Sequence, residues 1–217
     1  MLREDYLIRL IAQLVDILHY ALGLAKDKAY IEALNTLKDA TQRLFAIKND
    51  LLAQLSGAEL AHLLNVGEQP ENGAKKCLAL ATILHEQARL YAALDDVTSA
   101  YQRNLQALQL LLTLKHLPVE PLLEQTPTIP QLSQALASYS LPPETVIDLL
   151  AYFEHQGDFS TAEDMLFTTL DLAPEPALVD AGIAFYRRLL TLSDSALTAG
   201  NLPRDEVEAS LSELKGR

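Results

Sequence analysis

Residues 149–162 read Leu-Leu-Ala-Tyr-Phe-Glu-His-Gln-Gly-Asp-Phe-Ser-Thr-Ala, and two helical patterns meet in the middle of this stretch. Apolar residues recur at helical spacing before the turn, and Phe159 and Ala162 continue the pattern in a step of three after it. Gly157 supplies the positive φ that ends the first helix, and Asp158 can cap the second. The small Ala162 lets the helices approach closely. The stretch therefore predicts a tight antiparallel helical hairpin.

The composition favours helix along the whole chain. Of the 217 residues, 49% are hydrophobic and only 8 are Gly, while Ala and Leu dominate. Runs of β-branched residues are missing, and such runs are typical of strands. The sequence therefore predicts an all-α fold, and we expect residues 1–217 to form a single domain.

The pattern divides into three hairpins, two helical inserts and a group of C-terminal helices. The hairpins cover about 2–47, 78–114 and 143–172, the inserts cover 56–65 and 117–140, and the C-terminal helices cover 176–214. Ser56 and Glu59 form a capping box at the first insert. Residues 65–73 carry the strongest cluster of helix breakers, which predicts a mobile loop. The prolines of the second insert leave room for short helices at about 119–125 and 130–139.

Charge is distributed unevenly along this acidic chain, whose formal net charge is −12. Residues 1–116 are nearly balanced, with 12 basic and 13 acidic residues. From Leu117 through Tyr186 there is no Lys or Arg, while 11 residues are acidic. Such a surface repels phosphate groups, so nucleic acid and anionic membranes are unfavourable partners of this half. It either keeps a helical protein in solution or attracts a basic partner.

Three features predict a cytoplasmic protein. Charged residues stand at the start of the chain, where a secretory signal needs an apolar core. The stretch 105–114, interpreted as the most apolar, is too short to span a bilayer. Cys77 is the only cysteine, so no internal disulfide forms.

The hairpins resemble tetratricopeptide (TPR) repeats, which are helical hairpins of about 34 residues with small residues and aromatics at fixed places. The best copy runs from Pro143 to Pro174 and departs from the pattern at Leu150, where a small residue is usual. This copy matches at Leu149, Phe153, Gly157, Asp158, Phe159, Ala162 and Pro174. A second copy matches at Leu84, Ala88, Tyr91, Ala100 and Ala107. A partial third copy matches at Tyr30, Ala33 and Ala40. The resemblance implies a right-handed superhelical stack of hairpins separated by insertions.

Three segments also resemble an uncharacterised bacterial protein family with TPR-like helices. They are Arg3–Ile11, Gly157–Asp164 and Leu202–Val207. This resemblance covers the full length and implies no activity.

The TPR resemblance also implies a binding surface, because the first helix of each hairpin lines the concave face in that family. When the concave-face positions of that family are transferred to this chain, they give the peptide-groove candidates Thr82, His85, Arg89, Glu144, Ile147, Ala151, Glu154 and His155. TPR proteins that bind chaperones hold a carboxylate with Lys and Asn at such places. Here only His85 and Arg89 can serve, so a mixed apolar and acidic groove is expected instead of a carboxylate clamp. Whether the inserts fill this groove is left open.

No arrangement of residues predicts catalysis, a metal or a cofactor. The five histidines lack the His-x-x-x-His spacing of helical metal sites, and no Gly-rich phosphate loop or nucleophile motif occurs. Lys75 and Lys76 can lower the pKa of Cys77, yet a lone Cys near a helix start is more often a packing residue.

We therefore expect a non-enzymatic module that binds a protein or peptide, in which a basic partner would suit the acidic surface. The alternative is a structural protein that forms a homodimer through its apolar N-terminal helix, motivated by the stripe at 7–24. An enzyme acting through His85, Glu86 and Arg89 is the third hypothesis.

Overall fold

The computed structural model describes residues 2–117 and 120–217, with side chains described from residue 6 onward. Every regular element in these ranges is a helix, which confirms the all-α class. The helices are α1 (Leu2–Lys26), α2 (Tyr30–Phe45), α3 (Asn49–Gln54), α4 (Gly57–Asn65), α5 (Pro70–Ala93), α6 (Val97–Leu112), α7 (Ile129–Ala135), α8 (Pro143–Gln156), α9 (Phe159–Leu172), α10 (Pro176–Leu189), α11 (Asp194–Ala199) and α12 (Arg204–Gly216).

Contacts divide the described residues into two compact units, with the boundary after Leu136. The first unit holds α1 to α7, and the second holds α8 to α12. The expectation that residues 1–217 form a single domain stays a prediction.

Three helices of the first unit share one apolar cluster. α1 buries one face, α2 packs against that face, and α5 completes the cluster. The buried side chains are Leu10, Leu14, Ile17, Leu18 and Ala21 from α1, Ala33, Leu34, Leu37, Ala40 and Leu44 from α2, and Ala79, Ile83 and Leu90 from α5. Burying a Leu or Ile side chain stabilises the fold by about 1.5–3 kcal/mol, so this cluster contributes strongly to the stability of the unit.

The α1 helix also has the length and composition of a membrane-spanning segment. Among the described residues, the stretch Tyr6–Lys26 is the one helix that passes this test, and a third of its apolar window is buried inside the structure. Most of the stretch 105–114 lies in α6, whose 16 residues are fewer than the 18 that this test requires.

Polar side chains of α6 hold the short helices α3 and α4 in place. The amide nitrogen of Gln106 donates hydrogen bonds of 2.6 Å to the carbonyl oxygens of both Leu52 and Leu55. These carbonyls lie at the C-terminal end of α3, where no backbone partner is available. The predicted capping box of Ser56 and Glu59 opens α4 as expected. The helix α3 itself was not predicted.

The α5 helix starts eight residues earlier than the sequence suggested. It begins at Pro70, so only residues 66–69 lie between α4 and α5, and the prediction of a mobile loop over 65–73 is wrong. Proline is favoured in a first turn because its missing N–H would have no partner there. Gly73 has no side chain, which lets Asn65 pack against it.

Three hairpin turns use one backbone pattern. At Lys28, Asp95 and Gly157 the chain takes a positive φ of 62°, 59° and 75°, respectively. In each turn the next residue donates its N–H to the carbonyl five residues before it, which closes the preceding helix. Asp158 accepts a hydrogen bond from the N–H of Thr161 at the start of α9. The predicted hairpin of α8 and α9 is therefore confirmed.

The second predicted insert contains one helix among its described residues. This helix is α7, opened by a capping box of Thr128 and Gln131, and it ends at Ala135 instead of 139. Residues 120–125 form bends and turns, so the helix expected at about 119–125 is absent from them, while residue 119 lies outside the described ranges. Pro121 provides no backbone donor in this segment, and the side chain of Thr126 accepts a hydrogen bond from the N–H of Leu123.

In the second unit, α8 to α10 and α12 enclose an apolar core with one polar cluster. The side chains of Phe153, Phe159 and Phe185 are buried in it, and Ala162 is fully buried at the hairpin contact. The hydroxyl of Tyr186 donates a hydrogen bond of 2.7 Å to Glu163. Burial and this contact raise the pKa of Tyr186 well above its ordinary value, so the phenol stays protonated.

Candidate functional site

A polar groove runs along α5 in the first unit, and we call it the α5 groove. Its volume is about 480 Å³. His85, Glu86 and Arg89 of α5 form one wall, and residues 124–127 together with Gln131 form the other. Ligand sites in proteins commonly have volumes of about 300–1,000 Å³, so the groove has the size of a binding site.

The α5 wall follows from helical spacing. His85 and Arg89 are four residues apart and therefore lie one turn apart on the same face. Almost all of the surrounding positions from 77 to 90 are buried, so these two residues mark the line where α5 reaches solvent. The side chain of Arg89 is 61% exposed, which leaves its guanidinium accessible from the groove.

The opposite wall is held to α5 by a threonine pair. The hydroxyl oxygens of Thr82 and Thr126 lie 3.3 Å apart, and both residues are buried. Thr126 also accepts a hydrogen bond of 3.1 Å from the N–H of Leu123. Thr82, predicted as a groove residue, lies under the insert and presents no surface to a ligand. The insert therefore covers part of the α5 face that a TPR-type groove would use.

Each ionisable group of the α5 wall has a partner on a helix. The guanidinium of Arg89 donates hydrogen bonds of 3.1 and 3.2 Å to the two carboxylate oxygens of Glu86. The Glu86 side chain is only 7% exposed, so this contact compensates a largely buried charge. His85 Nδ1 lies 3.0 Å from the amide oxygen of Asn104. Because that oxygen only accepts, Nδ1 is the donor in this contact.

The remaining predicted groove residues lie on the outer face of α8 in the second unit. Glu144, Ile147 and His155 are exposed, and Ala151 is half-buried. Glu154 binds Arg188 of α10 through two hydrogen bonds of 2.8 and 2.6 Å. The predicted set is thus divided between two units, and the structure brings together only His85 and Arg89 as parts of one groove.

Five groove residues were missed by sequence reasoning, namely Glu124, Gln125, Thr126, Pro127 and Gln131. The capping box of Thr128 and Gln131 was a usable signal for the start of α7. Nothing in the local sequence indicated that this segment folds back onto α5.

Cys77 is a packing residue. It is fully buried, and burial raises the pKa of its thiol to about 11 despite a contact from Asn65. Neither Lys75 nor Lys76 lowers this pKa as the sequence suggested, and the ammonium group of Lys76 binds Glu68 at 2.8 Å. Within the described ranges, no group of three or more His, Cys, Asp or Glu side chains has the arrangement of a metal site.

Comparison with known proteins found no match among curated proteins and none among solved structures. One family profile matches the chain over residues 1–217, and its description is "Family of unknown function (DUF6483)". The segments that suggested an uncharacterised family thus agree with a full-length match, while the TPR-like assignment stays a prediction. The chain belongs to this family of unknown function, DUF6483.

Proposed function

We propose that the protein is a non-enzymatic module that binds an extended peptide segment of a partner protein in the α5 groove. The observation that carries the proposal is the groove itself, in which His85 and Arg89 face the polar segment 124–131 across about 480 Å³. A rigid, buried helix forms one wall, so binding there requires little rearrangement of the protein.

The chemistry of the lining suits a peptide backbone. The amides of Gln125 and Gln131 can both donate and accept hydrogen bonds, as every peptide unit requires. Arg89 offers further N–H donors besides those used by Glu86. Binding is favoured over catalysis because Glu86 and His85 are already engaged with Arg89 and Asn104.

A basic side chain on the peptide would suit this surface. The exposed carboxylate of Glu124 lies in the groove wall, and the chain as a whole carries a net charge of −12. Opposite charges accelerate association and fix the register of a bound segment. The same sign of charge disfavours nucleic acid and anionic membranes as partners.

The proposal includes a TPR-like superhelical arrangement of the hairpins and a cytoplasmic location. Support for the first comes from the shared turn geometry at Lys28, Asp95 and Gly157 and from small Ala100 and Ala162 at the hairpin contacts. Support for the second comes from the lone reduced Cys77 and from the face of α1 that packs into the core.

The test is selection from a phage-displayed library of random peptides on the immobilised protein. We expect enrichment of peptides with Lys or Arg, followed by an affinity loss of about tenfold in Glu124→Lys. Glu120→Lys is the matched control, because this exposed residue carries the same charge on the same segment but does not line the groove. Equal binding by the wild type and both variants, or no enrichment at all, would contradict the proposal.

A further inference from the structure

The outer face of α1 carries a second apolar stripe, opposite the face that packs into the core. Its residues follow one another in steps of four and three, and Ile8 is 66% exposed. We call this stripe the α1 seam, and it consists of four apolar residues together with His19, namely Ile8, Ala12, Val15, His19 and Leu22. Ile11, at the margin of the seam, packs against the core. Exposed or half-buried apolar side chains aligned over four turns are unusual on a helix that already has a buried face.

The spacing of the seam is that of a two-helix coiled coil. Steps of four and three keep successive side chains on one line, from which each inserts between residues of a facing helix. The seam extends over about 21 Å at a rise of about 1.5 Å per residue. An occupant of this face should therefore be another helix with the same spacing.

Charge identifies the occupant and its direction. Between residues 6 and 25, α1 has two Asp, Glu, Lys or Arg residues, Arg9 and Asp16. They are seven residues apart, so both lie along the same edge of the seam. An antiparallel copy brings each Arg9 within reach of the partner's Asp16, whereas in a parallel copy these two residues lie on opposite sides of the contact. Arg9 also has a polar contact in its own chain, and the five donors of a guanidinium allow both.

We propose that the α1 seam binds the same seam of a second copy of this chain, with the two α1 helices antiparallel. The helices cross near Ala12, where the small side chain faces the partner's Val15 and allows close approach. Ile8 then packs beside the partner's His19, and two symmetric ion pairs flank the contact. The arrangement has the two-fold symmetry that is most common among homodimers.

This inference is independent of the proposed function. The α5 groove is lined by residues of α5, the 124–127 segment and α7, and none of them belongs to the α1 seam. Failure of the peptide selection would contradict the proposed function but not the dimer. A monomeric protein would contradict the dimer but not the peptide-binding role of the α5 groove.

Sedimentation equilibrium tests the dimer directly. The full chain is expected to sediment as a dimer at tens of micromolar. Ala12→Glu places a carboxylate in the centre of the seam, and we expect it to weaken the dimer by at least about a hundredfold. Gln13→Glu is the matched control, because it adds the same charge at the adjacent exposed position outside the seam. This control should dimerise like the wild type.

Charge reversal tests the antiparallel direction. Arg9→Glu and Asp16→Arg should each weaken the dimer about tenfold, and the double variant should restore it, because only an antiparallel pair exchanges the two charges. Circular dichroism verifies the fold of each variant. A monomeric wild type, or a double variant no better than the single ones, overturns the proposal. Flotation of a monomeric protein with phosphatidylcholine and phosphatidylglycerol vesicles, abolished by Ala12→Glu, would assign the seam to a membrane and also overturn it.

Discussion

The hydroxyl oxygens of Thr82 and Thr126 lie 3.3 Å apart beneath the α5 groove. Through this pair, a segment without regular secondary structure is fixed to the most buried helix of the first unit. Thr82 also donates to the carbonyl oxygen of Leu78 at 2.8 Å, so its hydroxyl is held in one orientation. The geometry of the groove therefore depends on side chains that no ligand touches.

Replacing Thr126 with Val should loosen the groove wall. Val keeps the shape of Thr but removes the acceptor for the N–H of Leu123 and the contact with Thr82. The loss of about 1–3 kcal/mol of local stability should accelerate hydrogen exchange of the amides at 122–126 by about tenfold to a hundredfold. Thr36→Val is the control, because the hydroxyl of Thr36 makes an exposed hydrogen bond within α2, to the carbonyl oxygen of Glu32. Similar exchange in both variants would show that the pair does not hold the wall.

Two glycine-to-alanine substitutions should have opposite effects on stability. A Cβ at Gly57 would overlap the backbone of Gln106, so Gly57→Ala should lower the free energy of unfolding by about 1–3 kcal/mol. Gly23 lies within α1 with no atom near the added Cβ. Because Ala is the better helix former, Gly23→Ala should raise the same quantity by about 0.5–1 kcal/mol. Urea unfolding of the wild type and both variants measures these changes in the free energy of unfolding. Changes of the same sign in the two variants would contradict this interpretation.

The positive φ values at two hairpin turns predict opposite effects of two substitutions on stability. Lys28 and Gly157 both have a positive φ, of 62° and 75°, which a side chain disfavours. Lys28→Gly should therefore raise the melting temperature, and Gly157→Ala should lower it, each through about 1 kcal/mol. Calorimetry on the two variants tests the shared geometry. A destabilised Lys28→Gly would mean that its side chain contributes more than the backbone strain costs.

Cys77 should make stability fall in alkaline solution. Burial raises the pKa of its thiol from about 9 to about 11, so below pH 9 the folded and unfolded chains both keep the proton. Between pH 9 and 11 the unfolded chain loses that proton while the folded chain retains it. This difference favours unfolding by about 2–3 kcal/mol across the interval. Cys77→Ala, compared with the wild type in urea at several pH values, should show a smaller decline. Parallel curves would exclude a role for this thiol.

Local sequence was sufficient where the governing interaction lies within a few residues. Gly157 and Asp158 specify their turn because positive φ and side-chain capping are properties of the residues themselves. Ser56 and Glu59 specify the start of α4 for the same reason. The early start of α5 at Pro70 was missed, since Gly73 looks like a helix breaker until its contact with Asn65 is seen.

The sequence by itself determined the helical class, the three hairpins and the charge distribution, because periodicity, turn residues and composition act over short distances along the chain. The tertiary structure alone decided which side chains share a surface. It buried Thr82, left Arg89 exposed, and brought residues 124–131 against α5. Those outcomes depend on contacts between residues more than forty positions apart, such as Thr82 with Thr126, and local pattern carries no information about them.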